Sequence, residues 1–142
     1  THHRTGIDLS SRMIDIAGET DLYDELYVGD IVAFVQEIED EDPWDLIVAT
    51  DVLIYLGGLA DLFAGVRRVS TPGAVFAFST ELLEGDGKTF AVGPYQRFQH
   101  ALPYLTRELE AAGFALVHVQ DITVRFEEGE PQPGHLVIAR AC

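Results

Sequence analysis

Three aspartates stand where acidic side chains bind hydroxyl- or amine-bearing ligands. Asp8 closes the short stretch Thr5-Gly-Ile-Asp8, Asp30 follows Leu26-Tyr-Val28 and Gly29, and Asp51 follows the apolar run Trp44-Asp-Leu-Ile-Val-Ala-Thr50. If those stretches are parallel strands, each acid lies at a carboxyl end, where doubly wound sheets hold their ligands. A carboxylate there accepts hydrogen bonds from ribose hydroxyls or an adenine amine. Each aspartate alone fits a helix cap or turn equally well; recurrence in consecutive units is what points to a site. A second polar group, Tyr95-Gln-Arg-Phe-Gln-His100, follows another apolar run. Tyr95, Arg97 and His100 could orient a nucleophile, and His100, with an unperturbed pKa of about 6.5, could take its proton. The plainer alternative is a loop that caps the next helix.

The elements that must position these residues follow from periodicity. Ser10 or Ser11 caps a helix through Met13, Ile14 and Ala17, and a second helix carries Ile31, Phe34, Val35 and Ile38 on one side. The acidic run from Glu37 to Asp42, interrupted by Pro43, reads as a solvated helix end and loop. Trp44 to Thr50 has the continuous apolar character of a strand buried on both faces. After Gly57-Gly58, Leu59, Leu62, Phe63 and Val66 are the inward side of a helix that Thr71-Pro72-Gly73 stops. Ala74 to Ser79 is a buried strand, residues 84–94 a long loop, and Leu102 to Ala112 a helix ending at Gly113 with Pro103 in its first turn. Phe114 to Phe126 and His135 to Arg140 are strands joined by a turn over 127–134, so the simplest pairing is antiparallel. Four strand–helix units followed by strand–turn–strand imply an α/β fold with a mainly parallel sheet and a reversed end. With no repeat or linker, 1–142 reads as one continuous domain.

Composition narrows the partners. A net charge of −15 without a basic stripe disfavours nucleic acid. The adjacent Arg67 and Arg68 fit a solvated helix face, and His118 and His135 fit strand surfaces. His2 and His3 read as terminal and mobile. No apolar run is long enough to span a bilayer, so no membrane partner is expected. The single cysteine, Cys142, has no partner for a disulfide or zinc site, which suits a cytoplasmic compartment and no bound metal. Gly85-Asp-Gly-Lys-Thr89 ends like a phosphate-binding loop, but Leu82 stands where that motif requires its first glycine.

Gly6-Ile-Asp-Leu-Ser10, Gly29-Asp30, the segment from Trp44 to Leu56, Thr71-Pro-Gly-Ala-Val-Phe-Ala-Phe-Ser79 and the helix reaching Ala111-Ala-Gly-Phe114 resemble, in order and spacing, the class I S-adenosylmethionine-dependent methyltransferases. The likeness is to the small-molecule type, which also occurs fused to tetratricopeptide repeats, and it extends over nearly the whole chain. It implies a Rossmann-like sheet with an antiparallel C-terminal strand, S-adenosylmethionine as cofactor, and methyl transfer to a small-molecule or protein acceptor. Carried over by position, Asp8 meets the ribose hydroxyls and Leu9 and Met13 lie near the adenine. Asp30 and Ile31 then meet the adenine amine and ring, and Ala49 and Thr50 approach the methionine part. Asp51 and Tyr55 lie close to the transfer site, although Tyr55 also fits a half-buried helix aromatic.

One departure is large. In nucleotide-binding sheets a glycine-rich turn precedes the ribose acid by about 20 residues, and Asp8 has only seven residues before it. The expectation is therefore the C-terminal portion of a methyltransferase domain, missing the first, central strand and its glycine-rich loop. Such a chain by itself should be inactive, with open strand edges that could support a homodimer. Two other readings stay in view: an NAD-type Rossmann oxidoreductase and a non-catalytic association module.

Overall fold

Short polar side chains begin the first two helices. In a computed structural model describing residues 3–39 and 43–142, the Ser10 hydroxyl accepts the Met13 N–H at 3.2 Å and the Asp30 carboxylate accepts the Ala33 N–H at 3.0 Å. Each cap satisfies a donor that a helix start leaves without an internal partner. The chain divides into two compact units, Thr1–Glu39 and Asp40–Cys142.

The smaller unit holds strand β1 (Thr5–Asp8), helix α1 (Ser11–Glu19), strand β2 (Glu25–Val28) and helix α2 (Ile31–Glu37). β1 and β2 pair in parallel, with Gly6 opposite Leu26 and Asp8 opposite Val28. A Cβ on Gly6 would come 2.9 Å from the tip of the Leu26 side chain, which would have to shift. The Tyr27 and Phe34 rings meet at a tilt of 49°, with centroids 5.0 Å apart. The apolar side expected for α1 is present, but none of its residues is buried.

The larger unit runs β3 (Trp44–Ala49), a 3-10 turn (Leu53–Tyr55), α3 (Ala60–Arg68), β4 (Ser70–Leu82), β5 (Phe90–Val92), β6 (Phe98–His100), α4 (Leu102–Ala112), β7 (Phe114–Glu127) and β8 (Glu130–Ala141). Its six strands form one sheet in the order β5-β6-β4-β8-β7, with β3 also on β4. β4 pairs with β8 antiparallel from Val75 to Glu81, and with β3 in parallel from Val75 to Phe78. Beyond Ala49, β6 takes over β3's edge of β4, pairing Gln99 and His100 with Glu81 and Leu82. The antiparallel β7–β8 pair confirms the reversed ending. Both residues of its two-residue turn, Glu128 and Gly129, have positive φ (51° and 81°), which matches the strand twist.

Leu59, Leu62, Phe63 and Val66 are all at most 1% exposed, as their spacing predicts. Phe63 meets Phe76 and Phe78, and Phe76 meets Phe114, with ring centres 5.4–5.8 Å apart. Each such buried ring stabilises the fold by about 1.5–3 kcal/mol. α4 has the expected bounds, with Gly113 left-handed at its end (φ 96°).

Several expectations need correction. Thr71-Pro72-Gly73 ends no element; it lies inside β4, where Gly73 takes φ 81° and the β3–β4 register slips between Trp44 and Leu46. The loop over 84–94 contains β5, and the turn over 127–134 shrinks to two residues. Pro131 and Pro133 are accommodated in β8 because they lie past the end of its pairing with β4, where no N–H is needed on that side. β3 forms as expected but is not buried on both faces: Leu46 and Val48, at alternate positions on one face, are 58% and 61% exposed. His135 is buried, not on a strand surface, because β8 lies between β4 and β7. The acidic run lies partly outside the described residues, as does His2.

Gly134 has no room for a side chain, since a Cβ would collide with the Thr80 carbonyl oxygen and the Val124 side chain. Gly134→Ala should therefore destabilise by about 1–3 kcal/mol. Gly29→Ala, with nothing within 4 Å of the added carbon, should change stability far less. Urea midpoints for the two variants check this contrast.

Candidate active site

Parallel pairing places Asp8 and Asp30 at the same, carboxyl end of the β1–β2 sheet. The Asp8 carbonyl accepts the Gly29 N–H at 2.9 Å, so the turn leading to Asp30 begins beside Asp8. Each carboxylate spends one oxygen locally: Asp8 Oδ1 on the Ser10 N–H at 2.8 Å, Asp30 Oδ2 on the Ala33 N–H. The cap or turn role that each could play is thus present, and the second oxygen of each has no partner in these bonds. Leu9 and Met13 are exposed (71% and 53%), and Ile31 opens α2.

In the larger unit, Ala49, Thr50 and Asp51 leave the end of β3 beside the end of β4. Ala49 is buried, and Asp51 takes φ 56°, a left-handed conformation that costs a non-glycine residue roughly 1–2 kcal/mol. Two bonds hold it there. The Asp51 N–H donates to Ser79 Oγ at 3.2 Å, and Arg125 Nη2 donates to Asp51 Oδ1 at 2.7 Å. Arg125 Nη1 lies 3.2 Å from Glu81 Oε1, an ion-pair contact without hydrogen-bond alignment. Glu81 is 3% exposed, whereas the Asp51 side chain is 65% exposed. Sequence reasoning missed Glu81 and Arg125. They lie 44 residues apart in strands whose alternation carries no trace of which strand crosses to which.

Tyr55 ends the 3-10 turn and is exposed, so the half-buried alternative does not describe it. Tyr95 sits in the turn between β5 and β6, closed by bonds between Gly93 and Arg97 and between Gln96 and Gly93. Arg97 pairs with Glu127 at the end of β7. Arg67, expected on a solvated face, instead donates to the carbonyls of Ser70 (3.2 Å) and Cys142 (2.6 Å). The Gly85–Thr89 segment is followed by strand β5 and not by a helix, so it lacks the setting of a phosphate loop.

His100 is closed off from solvent. It is fully buried, its Nε2 donates to the Gly57 carbonyl at 3.0 Å, and its ring lies parallel to that of Tyr104. Tyr104 in turn accepts the Leu59 N–H at 3.0 Å, so the two rings pin the glycine turn that follows the Asp51–Tyr55 segment. Gly57 has no space for a Cβ, which would meet Phe90 at 2.8 Å and Phe98 at 3.0 Å. Burial lowers the His100 pKa below 6.5, with the Gly57 and Leu56 carbonyls opposing that shift. The remaining nitrogen, Nδ1, is buried without a partner, so protonation would strand a donor there.

Among the described residues, no group of three or more His, Cys, Asp or Glu is arranged to hold a metal ion. Among the same residues, no helix is long and apolar enough to cross a membrane.

No protein-family model matches the sequence, and no curated protein matches it. Solved structures do. The chain has the fold of the class I S-adenosylmethionine-dependent methyltransferases, a mixed α/β fold with parallel strands and an antiparallel ending. A methyltransferase from Mesorhizobium loti aligns over 97% of this chain and 80% of its own, with TM-score 0.70 and 21% identity. The Burkholderia thailandensis 1,6-didemethyltoxoflavin N1-methyltransferase, solved with S-adenosylhomocysteine, aligns over 99% and 61%, with TM-score 0.73 and 20% identity. The [4+2]-cyclase SpnF aligns over 98% and 66%, with TM-score 0.76 and 14% identity. One fold thus carries different reactions, and the site must argue the chemistry.

The lowered His100 pKa has a definite sign. The unfolded chain binds the proton more readily than the fold, so His100's contribution is complete above pH 6.5 and is lost as pH falls below it. Wild type should lose stability between about pH 7 and about pH 5.5, and His100→Gln should lose less over that interval. Denaturant titrations at the two pH values measure the difference.

Proposed function

We propose that the intact protein transfers a methyl group from S-adenosylmethionine to a small-molecule or protein acceptor. The observation carrying this reading is the reversed β7–β8 pair on β4, beside the parallel strand β3 with an aspartate just past its tip. A nicotinamide-binding sheet does not need that ending, which weighs against the NAD-type alternative.

The residues present fit part of the cofactor. Asp8 and Asp30 each keep a carboxylate oxygen beyond their local bond, suited to ribose hydroxyls and the adenine amine respectively. Leu9, Met13 and Ile31 offer apolar contact to the purine. Ala49 and Thr50 serve the methionine part, and Asp51 and Tyr55 the transfer side, with Tyr95 a further acceptor-side candidate. His100 is reassigned from proton acceptor to a structural tie. When bound, S-adenosylmethionine supplies an electrophilic methyl group, so the protein's own task is largely to position the nucleophile in line with it.

The fit is incomplete at the carboxypropyl end. No glycine-rich turn precedes Asp8 in this sequence, and β1 and β3 pair only with β2 and β4 among the described residues. Each of these edges offers backbone groups for pairing, which a second copy in a homodimer would satisfy. A two-stranded sheet such as β1–β2 is marginal by itself, which supports such pairing. The lone cysteine suits a reducing, cytoplasmic setting.

Calorimetry on this 142-residue chain should show S-adenosylmethionine binding weaker than micromolar, while the intact protein should bind it. Nicotinamide binding by the intact protein in place of S-adenosylmethionine would overturn the methyl-transfer reading. Light scattering tests the edge pairing: a strictly monomeric species of the 142-residue chain at high concentration counts against the homodimer.

A further inference from the structure

Glu81 and Arg125 have no part in the reading above, yet they are built around it. Glu81 lies at the end of β4, almost fully buried, and would be an unpaired buried charge without a cation. Arg125 reaches it from β7, and the same guanidinium extends its other nitrogen to Asp51 at 2.7 Å. A planar guanidinium can bridge two carboxylates at once, which a single ammonium does poorly. The dependence therefore has a direction. The buried carboxylate fixes the guanidinium, and the guanidinium fixes an exposed carboxylate that would otherwise sample several rotamers. Asp51 is also held in left-handed backbone, with its N–H on Ser79. Arg125 engages only one Asp51 oxygen, and the side chain as a whole is 65% exposed.

We propose that Arg125, steadied by Glu81, is the positioning residue for the Asp51 carboxylate and for residues 49–55 that carry it. This rests on the reading of Asp51 as a group close to the transfer site. Arg125 itself touches neither cofactor nor acceptor in this assignment; it sets the direction in which the free Asp51 oxygen accepts a hydrogen bond from the acceptor's N–H or O–H.

The test compares Arg125→Gln, Arg125→Lys, Glu81→Gln and Asp51→Asn with wild type in the intact protein. Amide hydrogen exchange is read residue by residue. In Arg125→Gln the Asp51 amide should exchange at least about tenfold faster, while those of β4 and β8 keep their rates. Arg125→Lys should recover part of the protection, because lysine still reaches one carboxylate. Asp51→Asn should keep the slow exchange, since asparagine offers the guanidinium an oxygen and tolerates left-handed backbone. Glu127→Gln, which breaks the neighbouring ion pair on the same strand, should leave Asp51 unaffected. Unchanged exchange at Asp51 in Arg125→Gln, or a uniform rise across the sheet, overturns the proposal. If Arg125→Gln does not fold, Glu81→Gln decides by the same criterion of a rise confined to residues 49–55. S-adenosylmethionine affinity of the wild type is measured alongside. Its absence would defeat the methyl-transfer reading without altering the exchange result, so the two failures are distinguishable.

Discussion

The larger unit depends on β4 being hydrogen-bonded along both edges. β8 occupies one edge, and β3 followed by β6 occupies the other, so a single strand sets the register of three neighbours. Unpaired buried backbone groups cost about 1–3 kcal/mol each, which leaves little freedom to shift any of them. One face of β4 brings Phe76 and Phe78 to the helices, and alternation puts Ser79 and Glu81 on the other. The polar groups near Asp51 are thus a by-product of the same pairing that builds the core.

Where β3 stops, the edge of β4 changes hands, and Asp51 lies in that gap. The gap explains why a backbone N–H there is satisfied by a serine side chain and not by a neighbouring strand. It also explains the left-handed turn, which redirects the chain away from the sheet before Leu53 and Ile54 bury themselves. Further along, Gly57 is pressed against Phe90 and Phe98 and held by His100. The segment is anchored at both ends, with its exposed side chains, Asp51 and Tyr55, between the anchors.

The strand-tip acids of the smaller unit show a different economy of groups. Asp8 and Asp30 cap or brace the chain that follows them, and a carboxylate has a second oxygen to offer elsewhere. A capping role and a ligand role are therefore compatible in one residue.

Local rules determined a good deal from the sequence alone. Helix spacing identified Leu59, Leu62, Phe63 and Val66 as inward, Ser10 and Gly113 marked helix ends, and the absence of a helical segment between the last two strands made them antiparallel. These features depend on residues a few positions apart, so periodicity records them. Asp51 was legible as a strand-tip acid for the same reason. The tertiary structure alone decided its ion-pair partner, because Arg125, itself paired with Glu81, reaches it only once β7 has folded back across β8 toward β4. It likewise decided that His100 is buried beneath Tyr104 and that Leu46 and Val48 are left exposed. Burial depends on what packs against a residue from afar, and an apolar run looks the same in sequence whether or not anything covers it.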